Sequence, residues 1–255
     1  MTTTLAGRTA VITGGARGIG LTLARALAAE GVNIALLDLL DTVEESAKTV
    51  ANEYGVATHG LQVDVTDRAA VAEAFGTVRE AIGLPTVLVT AAGIEINGDS
   101  VDVTAEQWRK VIDVNLGGTF FAAQAFGAGL LHAGMPGSAI LIASMSGHIV
   151  NVPQWAASYN ASKAGVIHLG KSLAVEWAGA GIRVNSISPG YVLTDLTQAI
   201  LDKEPALHDE WVALIPQGRM AAPADLSGLV TFLASDASAY LTAQDIVIDG
   251  GYTAL

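Results

Sequence analysis

A chain of 255 residues, half of them apolar and only 15% charged, is long enough to bury one substantial core and too apolar to stay disordered. Its net charge of −12 argues against nucleic acid and anionic membrane as partners, because both attract basic patches. The absence of cysteine excludes disulfides and thiolate metal sites, and His59, His132, His168 and His208 read as structural or surface residues, so no metal is expected.

The opening stretch, Met-Thr-Thr-Thr-Leu-Ala-Gly-Arg, lacks the basic start and apolar core of a secretory signal, and the cytoplasm is the expected location. Thr9-Ala-Val-Ile-Thr13 is a β-branched apolar run that stops at Gly14-Gly15, after which Ile19, Leu23, Leu27 and Ala28 recur at helical spacing. Gly31 ends that helix, and Asn33-Ile-Ala-Leu-Leu-Asp38 reads as a second strand. Strand, glycine loop, helix and strand make a βαβ unit. Within it, Gly14, Arg17, Gly18, Ile19 and Gly20 form the turn where a pyrophosphate can approach backbone N–H groups and a helix N-terminus. Asp38, about 20 residues on, can take both hydroxyls of an adenosine ribose and repel a 2′-phosphate. The expected cofactor is therefore NAD rather than NADP, with Arg17 as the nearby group that favours the phosphate.

The alternation continues with a helix over 44–53, a strand over 59–63, a helix over 69–82 and a strand over 86–90. Thr104 and Gln107 have the spacing of a helix cap, and the helix they open runs past Asn115. From Val114 to Ser162 there is no charged side chain, yet Gly117-Gly118, Gln124, Gly134, Pro136-Gly137, Asn151 and Gln154 interrupt the run. It reads as core helix, core strand (139–143) and active-site loop rather than a membrane span. A helix over about 155–178, a strand over 183–188 ending at Pro189-Gly190, a substrate loop or lid over about 191–220, a helix over 224–233 and a strand over 245–249 complete the chain. No linker divides it, so residues 1–255 are expected to form one α/β domain, a doubly wound parallel sheet of Rossmann type with helices on both faces.

The chemistry centres on Ser144 to Lys163. In a helix Tyr159 and Lys163 stand one turn apart on the same face, so the ammonium lies beside the phenol. A free tyrosine has a pKa of about 10; a fixed cation favours the phenolate, and bringing it to near 7 is worth about 4 kcal/mol. The expectation is a tyrosine poised for proton transfer.

Together these residues resemble the short-chain dehydrogenase/reductase family over nearly the whole chain, and the Thr-Gly-x-x-x-Gly-x-Gly spacing matches that family's dinucleotide fingerprint. The resemblance implies that Asp64 and Val65 contact the adenine, that Tyr159 and Lys163 border the nicotinamide ribose, and that Pro189, Gly190, Val192 and Thr194 hold the carboxamide. Asn115 matches the position that completes a proton relay through water. The family's Asn-Asn-Ala-Gly after the fourth strand is here Thr90-Ala91-Ala92-Gly93; backbone contacts of Ala91, Ala92 and Gly93 to the cofactor survive that change, whereas bracing of the sheet by an asparagine side chain does not. For the catalytic serine the strand end and Gly147 select Ser144, while counting back from Tyr159 selects Ser146; the rigid strand end favours Ser144. A homotetramer is what the resemblance implies, in keeping with helices after Thr104 and Trp155 that are apolar on more than one face.

Ser146, His148, Asn151, Gln154 and Tyr191 are the expected substrate contacts, and so many hydrogen-bonding groups suit a sugar alcohol or ketose. The run Ile-Ala-Ser-Met-Ser-Gly-His-Ile-Val-Asn-Val-Pro-Gln resembles that of polyol dehydrogenase and ketose reductase members. The alternative is a small hydrophobic ketone or diol in a pocket walled by Trp155, Tyr191 and Trp211. Two other classes fit less well. A serine hydrolase needs Gly-x-Ser-x-Gly where Ile142 precedes Ser144, and a non-catalytic dinucleotide-binding regulator has no use for Asn115, Ser144, Tyr159 and Lys163 together.

Overall fold

The structure, a computed structural model, describes residues 5–255; the first four residues of the N-terminal stretch lie outside it. Seven parallel strands, β1 (Thr9–Thr13), β2 (Asn33–Asp38), β3 (Thr58–Gln62), β4 (Pro85–Thr90), β5 (Gly137–Ile142), β6 (Ile182–Pro189) and β7 (Asp245–Ile248), lie in the order β3-β2-β1-β4-β5-β6-β7. Alternate residues of each strand face opposite sides, as the pleat requires. Ala10, Ile12, Ile34, Leu36, Val87, Val89, Ile140 and Ile142 meet α1 (Gly18–Ala29), α2 (Val43–Tyr54) and α9 (Ser227–Ala234) on one face. Val11, Ala35, Leu37, Leu88, Ala139 and Leu141 meet α3 (Arg68–Ile82), α5 (Gly118–Ala133) and α6 (Ala157–Trp177) on the other. Continuous apolar strand runs are thus explained by burial on both faces.

The helix opened by Thr104 is more elaborate than its periodicity indicates. Thr104 and Gln107 do form a capping box over α4 (Ala105–Ile112), with Thr104 Oγ1 accepting from the Gln107 N–H and Gln107 Oε1 from the Thr104 N–H. The axis then passes through a π turn, Asp113–Gly117, before continuing as α5, and this widened turn carries Asn115. Ala105–Ala133 is the one stretch among the described residues long and apolar enough to cross a membrane, but Ala122, Ala123, Phe126 and Leu130 are packed into the core beneath the sheet. At the other boundary, α6 starts two residues later than expected: Trp155 stays outside it, 51% exposed, with its carbonyl accepting from the Gly98 N–H.

The segment after β6 has a small core of its own. α7 (Asp195–Leu201) and α8 (Ala206–Ala213) gather Leu201, Leu207, Trp211, Ile215 and Met220, with Tyr191 and Tyr252 against them.

Crossovers run outward from β1 to β2 and β3, then return past β1 to β4. Such a reversal opens a crevice at the carboxyl ends of β1 and β4, where ligands of doubly wound sheets bind. Gly14 sits there with φ +66°, and a Cβ on it would come within 2.7 Å of the Ala92 nitrogen. The asparagine bracing missing after β4 is replaced from β1: the Ala91 N–H donates to the Thr13 carbonyl at 3.1 Å and the Ala92 N–H to Thr13 Oγ1 at 3.3 Å. Thr90 does not take over that role, because its hydroxyl is buried without a hydrogen-bond partner among the described residues.

An unpartnered buried hydroxyl costs about 1 kcal/mol or more, so Thr90→Val is expected to stabilise the fold by about that amount and raise the melting temperature by roughly 2–4 °C. Thermal unfolding of the two proteins side by side checks this; a lower melting temperature in the variant would mean that the hydroxyl is satisfied.

Candidate active site

Apart from Tyr159 and Lys163 on α6, the predicted cofactor positions fall at the carboxyl ends of the strands: the glycine loop after β1, Asp38 at the end of β2, Asp64 and Val65 after β3, Ala91 to Gly93 after β4, and Pro189 to Thr194 at and after the end of β6. The residues fit a dinucleotide. α1 has no side-chain cap, so its first-turn N–H groups are left for an anion. Gly18 has φ +58° and nothing within 4 Å of the place a Cβ would fill, while Gly20 packs so close to the Gly14 carbonyl that only glycine passes. The Asp38 carboxylate is pinned by the N–H groups of Ala16 (2.9 Å) and Leu40 (3.0 Å), which fixes a negative charge beside the loop. Arg17 is exposed at the start of α1, and its side chain makes no hydrogen bond or ion pair to a described residue. Asp64 closes its own turn on Thr66, Val65 packs against Gly118, and Thr194 caps α7.

A cavity of about 190 Å³ opens beside Gly93 and is lined by Ser144, Ser146, Asn151, Gln154, Tyr159, Lys163 and Tyr191, together with Ile19, Ala91, Pro189, Gly190, Val192 and Thr194. Tyr159 and Lys163 sit one turn apart on α6 as expected, with Lys163 Nζ 5.6 Å from the ring centroid. That ammonium, only 6% exposed, donates to the Ile142 carbonyl at 2.9 Å. The electrostatic consequence differs from the expectation. Burial and the charge of Glu95 push the Tyr159 phenol above its ordinary range, while the Ser144 hydroxyl hydrogen-bonded to it pulls the other way. Lys163 does not bring the phenol toward neutrality; burial drops its own pKa to about 8, against the pull of Glu95. Desolvation wins because both groups lie in the same poorly hydrated pocket.

Ser144 is the serine that pulls on the phenol, and both line the cavity. Its Oγ also donates to Ser146 Oγ at 3.1 Å and accepts from the Ser146 N–H at 3.1 Å. Ser146 in turn donates to Asn151 Oδ1 at 2.6 Å, Asn151 Nδ2 donates to the Tyr191 hydroxyl at 3.3 Å, and that hydroxyl donates to Gln154 Oε1 at 3.1 Å. A continuous line of hydrogen bonds thus runs from Ser144 through four of the five expected substrate contacts. His148 is the exception: its Nε2 pairs with Asp245 at 2.6 Å, away from the cavity, because the 3₁₀ turn Met145–Gly147 rotates it toward β7. Trp155 also lies outside the cavity, whereas Tyr191 and Trp211 do wall it, their rings stacked 4.3 Å apart.

Asn115 lies behind the cavity, 0% exposed. Both of its amide hydrogens are engaged, by the Ile94 carbonyl at 2.9 Å and Ser162 Oγ at 3.0 Å, and its Oδ1 accepts from the Ile94 N–H at 2.8 Å. Its backbone carbonyl is engaged as well, accepting from Thr119 Oγ1 at 2.7 Å. Sequence reasoning missed Glu95, a carboxylate two residues past Gly93 that lines the cavity; its signal was an acid flanked by Ile94 and Ile96 just past the glycine.

The profile of the family described as enoyl-(acyl carrier protein) reductase matches residues 14–253. The sorbose reductase of Schizosaccharomyces pombe is 44% identical over 97% of this chain and 96% of its own. The NADP-dependent mannitol dehydrogenase of Hypocrea jecorina is 42% identical over 98% of this chain and 93% of its own. Among solved structures, a short-chain type dehydrogenase/reductase from Mycobacterium marinum superposes with a TM-score of 0.93 at 39% identity, covering 98% of this chain and 97% of that one.

The hydrogen-bond line separates the two serines. Ser144→Ala removes the group on the phenol and is expected to lower kcat by at least about 100-fold, whereas Ser146→Ala loosens its neighbours and costs about tenfold. Steady-state rates of both variants decide it, and a deader Ser146→Ala would reverse the assignment.

Proposed function

Because the chain belongs to the short-chain dehydrogenase/reductase family and is an oxidoreductase acting on CH–OH groups, we propose that it interconverts a sugar alcohol and its ketose with NAD(H). The observation that carries this reading is the hydrogen-bonded line Ser144, Ser146, Asn151, Tyr191 and Gln154 along one small cavity. A substrate with several hydroxyls satisfies such groups, while an apolar one leaves them unpaired at about 1–3 kcal/mol each. The stacked Tyr191 and Trp211 favour the second reading, a small hydrophobic ketone or diol.

Tyr159 acts as the acid in reduction: burial keeps its proton on at neutral pH, and the hydroxyl delivers it to the ketone oxygen. Ser144 turns its hydroxyl from Ser146 to that same oxygen and steadies the charge that develops there. Lys163, largely protonated at neutral pH, holds the nicotinamide ribose and supplies the positive charge behind the phenol. The bound nicotinamide supplies the hydride, or accepts it in the reverse direction. A water held beside Asn115 is the proposed route by which a replacement proton reaches the phenol.

The Asp38 carboxylate, pinned at the end of β2, supports NAD over NADP. The exposed Trp108 and Phe120 on the α4 and α5 stretch and Val175 on α6 support a homotetramer built through those helices. A chain without cysteine gains nothing from an oxidising compartment, and the cytoplasm is the proposed location.

The test is a screen of C4 to C6 polyols and ketoses beside simple 2-alkanols and diols, with Tyr159→Phe as control. Turnover of polyols that drops at least about 1,000-fold in the variant, with cofactor binding retained, is expected. Activity confined to simple alcohols would overturn the substrate reading. For the cofactor, wild type is expected to favour NAD at least about tenfold in kcat/KM, and Asp38→Ala to shift the ratio toward NADP by about tenfold or more. Equal constants in the wild type would remove the role given to Asp38.

A further inference from the structure

The cavity holds one carboxylate that the reading above leaves without a role. Glu95 is half-buried, and among the described residues lining the cavity it is the one anionic side chain, as Lys163 is the one cationic side chain. Its backbone cannot drift, because Asn115 grips the preceding residue, Ile94, by both its N–H and its carbonyl. Its charge acts on three other cavity residues, Tyr159, Lys163 and Tyr191, which sets it beside the reacting centre. Burial pushes the Glu95 carboxyl up, with a hydrogen bond from Asn97 and the charge of Lys163 pulling it back down. An ionised carboxylate has about four acceptor positions, and Asn97 occupies one; what the rest call for is hydroxyl or amide hydrogens. Lys163 offers an incoming anion little, since its ammonium is deep in the site and donates to Ile142.

We propose that Glu95 is the specificity-determining residue of this site, accepting hydrogen bonds from the hydroxyls of a neutral polyol or ketose and turning away sugar acids, whose carboxylate would meet it with no free cation to balance the pair. The inference rests on the polyol reading above and deepens it. It places the selectivity on the loop after β4, whereas Asn151, Gln154 and Tyr191 come from the loops after β5 and β6. Those three accept either kind of substrate; Glu95 alone distinguishes neutral from anionic.

The experiment measures kcat/KM of the full-length enzyme for its best polyol, the sugar acid of the same chain length, and a 2-alkanol, in wild type, Glu95→Gln and Glu95→Ala. In Glu95→Ala the polyol-to-2-alkanol ratio is expected to fall at least tenfold, chiefly through KM. In Glu95→Gln, which keeps size and polarity, the sugar-acid-to-polyol ratio is expected to rise at least tenfold, read as turnover or as competitive inhibition by the acid. Glu95→Asp, which keeps the charge, should still exclude the acid, and this separates charge from packing if the other variants fold poorly. NADH binding by fluorescence in each variant shows that the cofactor half of the site is intact. Ratios unchanged in all variants of an enzyme that does oxidise polyols overturn the assignment to Glu95 alone. A wild type that oxidises no polyol overturns the polyol reading itself, whatever the variants do.

Discussion

The buried amide of Asn115 is the interaction on which the rest of the site depends. It joins three elements that are distant in sequence: the π turn between α4 and α5 that carries it, the loop after β4 at Ile94, and α6 at Ser162. Ser162 passes the constraint on, donating to the Tyr159 carbonyl at 2.7 Å. The helix bearing Tyr159 and Lys163 is thereby held in register with the loop bearing Gly93 and Glu95. The π turn is the local cost of this arrangement. A regular α-helix would offer its side chain at a different angle, and a widened turn is tolerated because the amide it presents is fully bonded.

Around that brace the site is a problem of desolvated charge. Tyr159, Lys163 and Glu95 share one small cavity, and each is shifted toward its neutral form by burial. A single cation beside a phenol in water would favour the phenolate. Here the carboxylate opposes that effect at the phenol and supports the ammonium instead. The outcome is a phenol held protonated next to a charged lysine. The same carboxylate, held in place through Ile94, is then close enough to help choose the substrate.

The sheet reversal between β1 and β4 decides where all of this happens. It opens the crevice that Gly14 fills without a side chain, at the edge where parallel pairing gathers the carboxyl ends of all seven strands. Thr13 takes on the bracing that the Thr90-Ala91-Ala92-Gly93 variant lacks, with its carbonyl and hydroxyl both bonded to the β4 loop. A brace can thus move to the neighbouring strand while the backbone positions around the cofactor site stay put.

The sequence by itself determined the alternation of strands and helices, the glycine loop, the acid at the end of β2 and the Tyr159 and Lys163 pair, because each is a local matter of periodicity or spacing along one element. The same local reading put Ser144 at the end of a strand, where it lines the cavity. What only the tertiary structure decided involves partners that are far apart in the chain. His148 sits among four other polar residues in sequence, but Asp245 lies 97 positions away and draws it off the cavity. The upward shift at Tyr159 comes first from burial and then from Glu95, which belongs to another loop and reads in the sequence as one acid among 25 acidic residues. Hydrogen-bond partners and desolvation are properties of a folded neighbourhood, and no spacing along the chain records them.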